Sequence, residues 1–352
     1  MTQMKRNETR QVRCGDVLIG GGAPVSIQSM LNTKTTDVEG SLAQLRALKA
    51  AGCDIARLAV PDREAAAGFA AIAAASPLPL VADIHFDWRL ALLAAEGGAK
   101  KIRINPGNIG DAGKVREVAD CCRQHGIPIR VGVNAGSLEK RLLEKYGHPT
   151  PEALVESALG HTELLEAVGF SDICVSIKSS SVPLTIAAYR LLARRTDYPL
   201  HLGVTETGTE RMGVIKSAMG IGALLCDGIG DTIRVSLTAD PVREVTAGRD
   251  ILRAAGLRQD GVNLIACPTC GRTSIDLIGL AGRVEAALAG CRKPITVAVM
   301  GCVVNGPGEA READVGIAGG KGEGLLFRKG EIVKKVPEEQ LLPALLELID
   351  QL

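Results

Sequence analysis

Short apolar runs rich in β-branched residues alternate with longer helical stretches along the first 250 or so residues. Such runs predict β-strands, here at 25–30, 54–60, 78–84, 99–105, 127–134, 172–178, 200–206 and 231–237. Four of the stretches between them, 37–52, 87–98, 111–126 and 240–256, begin with Asp and end with Gly, which are favourable helix caps. Eight strand–helix units of this length predict an α/β protein with a (β/α)8 TIM-type barrel, and a doubly wound sheet is the alternative.

The pattern changes near residue 257. Further strands are predicted at 263–270, 295–302 and 315–320, a helix near 276–290, a hairpin around 325–336 and an amphipathic helix from 337 to the end. These elements predict a smaller α+β domain. We therefore divide the chain into a barrel at 1–257 and a second domain at 258–352.

Composition and charge exclude several classes of partner. The formal net charge is +1 and aromatic residues make up 2% of the chain, so neither nucleic acid nor an anionic membrane is an expected ligand. Residues 1–16 are polar without an apolar export signal, and the most apolar stretch, 65–82, contains Pro77 and Pro79. We expect a cytoplasmic protein without a membrane span.

Five cations lie at the C-terminal ends of the predicted barrel strands, where barrel enzymes place their active sites. They are Arg57, Arg103, Arg130, Lys178 and Arg234, with Asn105, Asn134 and Ser236 beside them. One arginine alone would more often be a solvated or salt-bridged charge. Five cations at one mouth repel one another unless an anion neutralises them, and the planar guanidinium suits phosphate oxygens. The pattern predicts a polyanion site, of which a diphosphate is the simplest ligand.

Groups that can transfer protons are expected at the same rim. Asp83 and His85 follow one predicted strand, and Glu206 ends another. A lone histidine is more often structural than catalytic. We assign Asp83 and His85 to substrate binding and Glu206 to acid–base catalysis.

Three cysteines in the second domain indicate a metal centre. Cys267 and Cys270 form a CPTC motif, and Cys302 lies in GCVVNGPGE at 301–309. A structural zinc site needs a fourth Cys or His, but the last histidine is His201, and Cys291 ends a predicted helix. A 4Fe–4S cluster with three cysteines leaves one iron with another ligand, the arrangement of clusters that bind substrate. Glu309 is the candidate fourth ligand, because a carboxylate is replaced more easily than a thiolate. We favour iron–sulfur, with zinc as the alternative.

The other seven cysteines occur singly or in apolar context. We expect them to be small buried hydrophobic residues rather than disulfides or ligands. They are Cys14, Cys53, Cys121, Cys122, Cys174, Cys226 and Cys291.

Seven motifs are spread over nearly the whole chain. They are QSM at 28–30, VADIHFD at 81–87, IRINPGNIG at 102–110, IRVGVNAGSLE at 129–139, IGDTIRVSL at 229–237, IACPTCGR at 265–272 and GCVVNGPGEA at 301–310. In these motifs the chain resembles the bacterial 4-hydroxy-3-methylbut-2-en-1-yl diphosphate synthases of the non-mevalonate isoprenoid pathway. One segment departs from the family pattern, since 207–213 is more charged around Glu210 and Arg211.

The resemblance implies a barrel joined to an iron–sulfur domain similar to part of the sulfite and nitrite reductase fold. It implies two-electron reductive ring opening and dehydroxylation of 2-C-methyl-D-erythritol 2,4-cyclodiphosphate. The implied cluster ligands are Cys267, Cys270, Cys302 and Glu309, the implied diphosphate ligands are Arg57, Arg103, Arg130, Asn134, Lys178, Arg234 and Ser236, and Glu206 is the implied acid–base residue. It also implies a homodimer in which the cluster domain of one subunit caps the barrel of the other. No flavin or nicotinamide motif is visible, so flavodoxin or ferredoxin is the expected electron donor.

Two other functions remain open from the residues alone. One is a non-redox barrel lyase or transferase for phosphorylated substrates with a structural zinc in its tail domain. The other is an iron–sulfur redox sensor whose barrel only binds a metabolite. Metal identity distinguishes the first and turnover with a strong reductant distinguishes the second.

Overall fold

The protein, as a computed structural model that describes residues 6–109, 111–302 and 311–352, forms two compact units, Met1–Leu257 and Arg258–Leu352. The first unit begins with a hairpin of β1 (Gln11–Cys14) and β2 (Val17–Gly20). Glu309, the predicted fourth cluster ligand, lies outside the described residues.

A ring of parallel strands follows the hairpin. In chain order the strands are β3 (Ser26–Met30), β4 (Ile55–Ala59), β5 (Leu80–Asp83), β6 (Lys101–Ile104), β7 (Ile129–Asn134), β8 (Ile173–Lys178), β9 (His201–Leu202) and β10 (Thr232–Ile233). Their order in the sheet is β8-β7-β6-β5-β4-β3-β10-β9. A parallel bridge between Val175 and Leu200 joins the two ends of this order, so the sheet closes on itself. The predicted barrel is confirmed.

Helices occupy the segments between the strands. They are α1 (Val38–Ala51), α2 (Arg63–Ala75), α3 (Trp88–Glu96), α4 (Ala112–Gln124), α5 (Lys140–Tyr146), α6 (Pro151–Glu166), α7 (Val182–Leu192), α8 (Glu210–Cys226) and α9 (Pro241–Ala254). The four predicted Asp N-caps each accept a hydrogen bond from a backbone amide of the first turn. The predicted glycines follow the helix ends with positive φ, and Gly52 at the end of α1 has φ 96°.

The hairpin closes the N-terminal end of the barrel. Val12, Cys14 and Ile19 are buried and pack with side chains from the first halves of the barrel strands, namely Ile55, Val81 and Cys174. This apolar layer excludes water from one end of the barrel interior. The hairpin was missed from the sequence because each strand has only four residues.

The second unit is a mixed sheet with two helices in its described residues. The elements are β11 (Asn263–Ala266), α10 (Leu277–Leu288), β12 (Thr296–Met300), β13 (Val315–Gly319), β14 (Glu323–Arg328), β15 (Glu331–Pro337) and α11 (Leu341–Asp350). The sheet order follows the chain, with β11, β12 and β13 parallel and β14 and β15 antiparallel. Apolar residues of both helices pack on this sheet, and the predicted α+β architecture is confirmed.

Two expectations about local structure were wrong. The strands predicted at 200–206 and 231–237 are only two residues long, so Glu206 and Ser236 lie in loops rather than in strands. The loop after β9 instead bonds to neighbouring loops, as in the 3.1 Å hydrogen bond from the amide of Thr205 to the carbonyl of Ser179. Of the seven cysteines expected to be buried, Cys226 at the end of α8 is exposed, and Cys121 and Cys291 are only half-buried. In the described residues we find no helix with the length and apolar character needed to span a membrane.

The buried carboxylate of Asp231 ties the N-terminal segment to the barrel, and its removal should destabilise the fold. It accepts hydrogen bonds from the Leu200 amide at 2.9 Å, Thr9 at 3.0 Å and Arg6 at 2.9 Å. We expect Asp231→Ala to lower the free energy of unfolding by about 2–3 kcal/mol in urea titrations, because three donors lose their acceptor. Asp197→Ala, which removes an exposed ion pair with Arg10, should cost less than about 1 kcal/mol. Equal losses would contradict this role of Asp231.

Candidate active site

The structure brings the five predicted cations together inside the C-terminal half of the barrel. Arg57, Arg130 and Lys178 are at most 8% exposed, and Arg103 and Arg234 are nearly buried. Burial, followed by the charges of the four arginines, lowers the pKa of Lys178 well below its ordinary value. Burial, followed by the charge of Arg103, lowers the pKa of Arg130 to about 10. The five side chains are therefore close enough to repel one another.

Asp83 at the end of β5 is the first of two carboxylates among these cations. It lies 3.1 Å from Arg103 and 3.6 Å from Arg57. Burial opposes ionisation of Asp83, but the charges of Arg57 and Arg103 outweigh it and lower the pKa of Asp83 to about 2. Asp83 is therefore ionised and pairs with both arginines, and its assignment to substrate binding stays a prediction.

Glu244 is the second carboxylate, and the sequence analysis missed it. It lies in the first turns of α9, is 3% exposed, and pairs with Arg234 through both oxygens at 3.1 and 3.3 Å. The sequence does contain a signal for Glu244, because this residue interrupts the apolar stripe of Pro241, Val245 and Gly248 on the buried face of α9. A charged residue on such a stripe requires a buried partner.

When Lys178 is protonated, the five cations and two carboxylates leave an excess of three positive charges. Burial, only partly offset by Asp83, lowers the pKa of Arg57 to about 9. The low dielectric constant of the buried site makes the repulsion among the cations stronger than it would be in water. A multiply charged anion would relieve it, which is the chemistry that the sequence predicted for this mouth.

Two glycines leave room for the cations. A Cβ at Gly132 on β7 would lie 2.7 Å from Nε of Arg103, and a Cβ at Gly203 would lie 2.8 Å from both the carbonyl oxygen of Arg234 and Nζ of Lys178. Both distances are shorter than van der Waals contact permits. These positions therefore need glycine because the long side chains lie across the backbone.

The uncharged residues predicted for substrate binding have differing environments. The Asn105 side chain accepts a hydrogen bond from the Gly107 amide and so shapes the loop after β6. Asn134 ends β7 directly opposite Lys178 in the sheet register and is half-buried. The Ser236 hydroxyl is buried without a partner among the described residues. Asn134 and Ser236 are thus the two with unused hydrogen-bonding capacity.

Glu206 and His85 lie at the rim and are exposed. Glu206 follows β9 with φ 52°, a left-handed conformation that is uncommon outside glycine and often marks a functional site. Its loop is held by the neighbouring loop after β10, since the Thr207 hydroxyl donates to the Ser236 carbonyl. Neither Glu206 nor His85 has an ion pair among the described residues.

A second set of polar side chains lies inside the barrel among the cations, and the sequence analysis did not identify it. Lys101 and His201 are fully buried, and neither has a hydrogen-bond partner in the described part of the chain. Burial, and then the nearby cations, lower the pKa of His201 well below its ordinary value, so its imidazole is neutral. The two-residue period of strands could have revealed Lys101, because it shares a face of β6 with Arg103.

The predicted cysteine ligands lie at one edge of the second unit's sheet. Cys267 follows β11 and Cys302 follows β12, and these two strands are parallel neighbours. The amide of Gly301 donates to Sγ of Cys267 at 3.2 Å, which connects the two loops. Cys270 is exposed, and hydrogen bonds led by the Arg272 amide lower its pKa.

These three thiols fit an iron–sulfur cluster better than they fit zinc. An amide directed at a cysteine sulfur is a common feature around cluster thiolates. No histidine lies in the described part of the second unit to complete a zinc site. Over residues 6–109, 111–302 and 311–352, no His, Cys, Asp and Glu side chains form a group of three that could hold a metal ion.

Gly203→Ala should weaken anion binding at the barrel mouth, because its new Cβ would displace both Nζ of Lys178 and the backbone carbonyl of Arg234. We expect the dissociation constant for inorganic pyrophosphate, measured by calorimetry, to rise by roughly tenfold, the loss of about one charge-assisted hydrogen bond. Gly222→Ala on α8 is the matched control, since its Cβ would meet no described atom within 4 Å. Unchanged affinity in Gly203→Ala would show that Lys178 does not contact the anion.

Binding of pyrophosphate should be accompanied by proton uptake at Lys178. Its pKa is lowered in the free site by burial and by Arg130, Arg234, Arg57 and Arg103, and a bound anion raises it again. Affinity should therefore fall as pH rises from the free-site pKa toward the bound-site pKa. Calorimetry in buffers of different ionisation heat measures the uptake, which Lys178→Met should reduce and the exposed-site control Lys334→Met should not. Equal uptake in Lys178→Met would contradict the assignment.

Comparisons with known proteins identify the family. The sequence profile of the GcpE TIM-barrel domain matches residues 9–249, and that of the GcpE protein C-terminal domain matches residues 263–351. Among solved structures, a dihydropteroate synthase from Stenotrophomonas maltophilia superimposes with a TM-score of 0.52 at 15% identity. It covers 70% of this chain and 97% of that chain, which supports the barrel fold alone.

Full-length relatives share much more of the sequence. Proteins of Geobacter sulfurreducens and Clostridium perfringens, both named 4-hydroxy-3-methylbut-2-en-1-yl diphosphate synthase (flavodoxin), are 62% and 60% identical. The first alignment covers 98% of this chain and 98% of the relative, and the second covers 99% of each. Both the barrel and the cysteine-bearing domain are thus matched from end to end, and the chain belongs to the GcpE family.

Proposed function

We propose that the chain converts 2-C-methyl-D-erythritol 2,4-cyclodiphosphate to 4-hydroxy-3-methylbut-2-en-1-yl diphosphate, with electrons from flavodoxin. The product and the donor are those in the names of relatives 54–62% identical to it. The observation that carries the proposal is the buried excess of positive charge at the barrel mouth. It favours this function over a redox sensor, and the three thiols without a histidine disfavour a lyase or transferase with structural zinc.

The proposed reaction balances with two electrons and one proton. The cyclic diphosphate dianion takes up two electrons and one proton and gives the open diphosphate trianion and one water. The C–O bond from the tertiary carbon to the diphosphate breaks, and the C–O bond to the neighbouring hydroxyl breaks to release water. A carbon–carbon double bond forms between the two carbons.

Negative charge on the diphosphate therefore increases when the ring opens. The excess of three positive charges at the mouth, which Arg57, Arg103, Arg130, Lys178 and Arg234 supply against Asp83 and Glu244, matches the trianion rather than the dianion. Interactions that strengthen as charge develops lower the barrier, whereas equal binding of substrate and product would not. The arginines thus support ring opening as well as substrate binding.

Glu206 is the proposed proton donor. Its exposed side chain at the rim can reach a ligand in the mouth without first breaking an ion pair, since it has none among the described residues. Its carboxyl oxygen would give the proton to the departing hydroxyl oxygen. Asn134 and Ser236 are proposed to bind the diphosphate, and Asn105 and His85 to shape the rim beside it.

Cys267, Cys270 and Cys302, with Glu309, would hold a 4Fe–4S cluster. When bound, such a cluster supplies electrons one at a time and a Lewis-acidic iron. We assign diphosphate binding to residues 1–257 and cluster binding to residues 258–352. We also propose a homodimer in which each barrel mouth is completed by the cluster domain of the partner subunit.

The first experiment is metal analysis and turnover of protein prepared without oxygen. We expect about four iron and four sulfide per chain, lost in Cys267→Ser and retained in Cys291→Ser. Turnover with reduced flavodoxin should be lost in Glu206→Gln, which should keep the cluster. Stoichiometric zinc without sulfide would overturn the redox function, and normal turnover in Glu206→Gln would remove Glu206 from the mechanism.

A further inference from the structure

The carboxylate of Glu244 is fully used by neighbouring groups. One oxygen accepts from the Ser29 hydroxyl at 3.0 Å, and the other from the Leu237 amide at 3.0 Å. Arg234 donates to both oxygens, at 3.3 and 3.1 Å. The carboxylate is 3% exposed and accepts from four donor atoms, so its orientation is fixed.

Glu244 and its partners come from three separate parts of the barrel. Ser29 lies on β3 within the QSM motif, Leu237 lies in the loop after β10, and Glu244 lies on α9. The Ser29 hydroxyl bonds to Glu244 and to the Pro241 carbonyl, so the side chain faces α9 rather than the barrel interior. The hydrogen bond to Glu244 thus accounts for the serine at position 29, which substrate binding does not.

Glu244 could act on an anion in two opposing ways. As a nearby negative charge it should repel a diphosphate. As a bidentate partner of Arg234 it should hold the guanidinium in one rotamer and reduce the entropy lost when the anion binds. Asp83 holds Arg57 and Arg103 in a comparable way.

We propose that Glu244 is a positioning residue, which with Ser29 fixes Arg234 for the diphosphate and contributes more through this orientation than it costs through its charge. The inference deepens the proposed function and rests on it for the identity of the substrate. Glu244 does not touch the substrate in this scheme, because its oxygens are all engaged by the protein.

Glu244→Gln tests this directly, since an amide keeps the shape of the side chain but cannot accept from Arg234 through both atoms. Removing the negative charge should by itself tighten anion binding, whereas loss of orientation should weaken it. We expect the dissociation constant of inorganic pyrophosphate, measured on the cluster-loaded protein, to rise by roughly tenfold. In turnover, KM for the cyclodiphosphate should rise more than kcat falls. Tighter or unchanged pyrophosphate binding would overturn the proposal, as would a loss of kcat alone.

A double-mutant cycle tests whether Glu244 affects pyrophosphate binding through Arg234. Arg234→Lys should weaken pyrophosphate binding strongly in the native protein and much less in Glu244→Gln, because the orientation is already lost there. Glu210→Gln is the matched control, since Glu210 pairs with Arg243 in an exposed ion pair of α8 and α9. It should leave binding unchanged. Additive effects of the two substitutions in the cycle would also contradict positioning.

A folding failure of Glu244→Gln would not prevent the test. Ser29→Ala removes one of the four donors and should weaken pyrophosphate binding by about threefold, with the same coupling to Arg234→Lys. Normal binding in a folded Ser29→Ala protein would overturn the part assigned to Ser29. Because pyrophosphate binding is measured without turnover, an inactive native protein would refute the proposed reaction while leaving the positioning role measurable.

Discussion

Mutual repulsion among buried cations is the constraint on which the rest of the barrel depends. One enclosed mouth holds Arg57, Arg103, Arg130, Lys178 and Arg234, and each of the four arginines lowers the pKa of at least one neighbour. Such a cluster is costly unless its charges are paired. The surrounding structure pairs three of the arginines with carboxylates before any ligand binds.

Pairing comes from two carboxylates on different kinds of element. Asp83 projects from a barrel strand, and Glu244 projects from a helix outside the sheet. Room comes from Gly132 and Gly203, where any side chain would collide with a cation. The two carboxylates neutralise only part of the positive charge, since three positive charges remain. A diphosphate can neutralise these three. The same excess favours the extra negative charge that ring opening would create.

In the second unit, the fold brings together thiols that are distant in sequence. Parallel pairing of β11 and β12 places the loops after both strands at the same edge, and these loops carry Cys267 and Cys302. The bond from the Gly301 amide to the Cys267 sulfur joins them. A site built this way depends on the strand register, because a shift by one residue would turn one cysteine to the other face.

The sequence by itself determined the repeating strand–helix pattern, the cations at the strand ends and the cysteine spacing. These are local features, since hydrophobic period, caps and residue type are readable over a few positions. Lys101 could also have been found by extending the two-residue period of β6 back from Arg103. Only the tertiary structure decided how the charges are paired. Glu244 lies ten residues from Arg234 and 215 from Ser29. Whether Glu244 is an exposed charge or the buried partner of Arg234 depends on closure of the barrel. Closure brings β3 beside β10 and packs α9 against both strands.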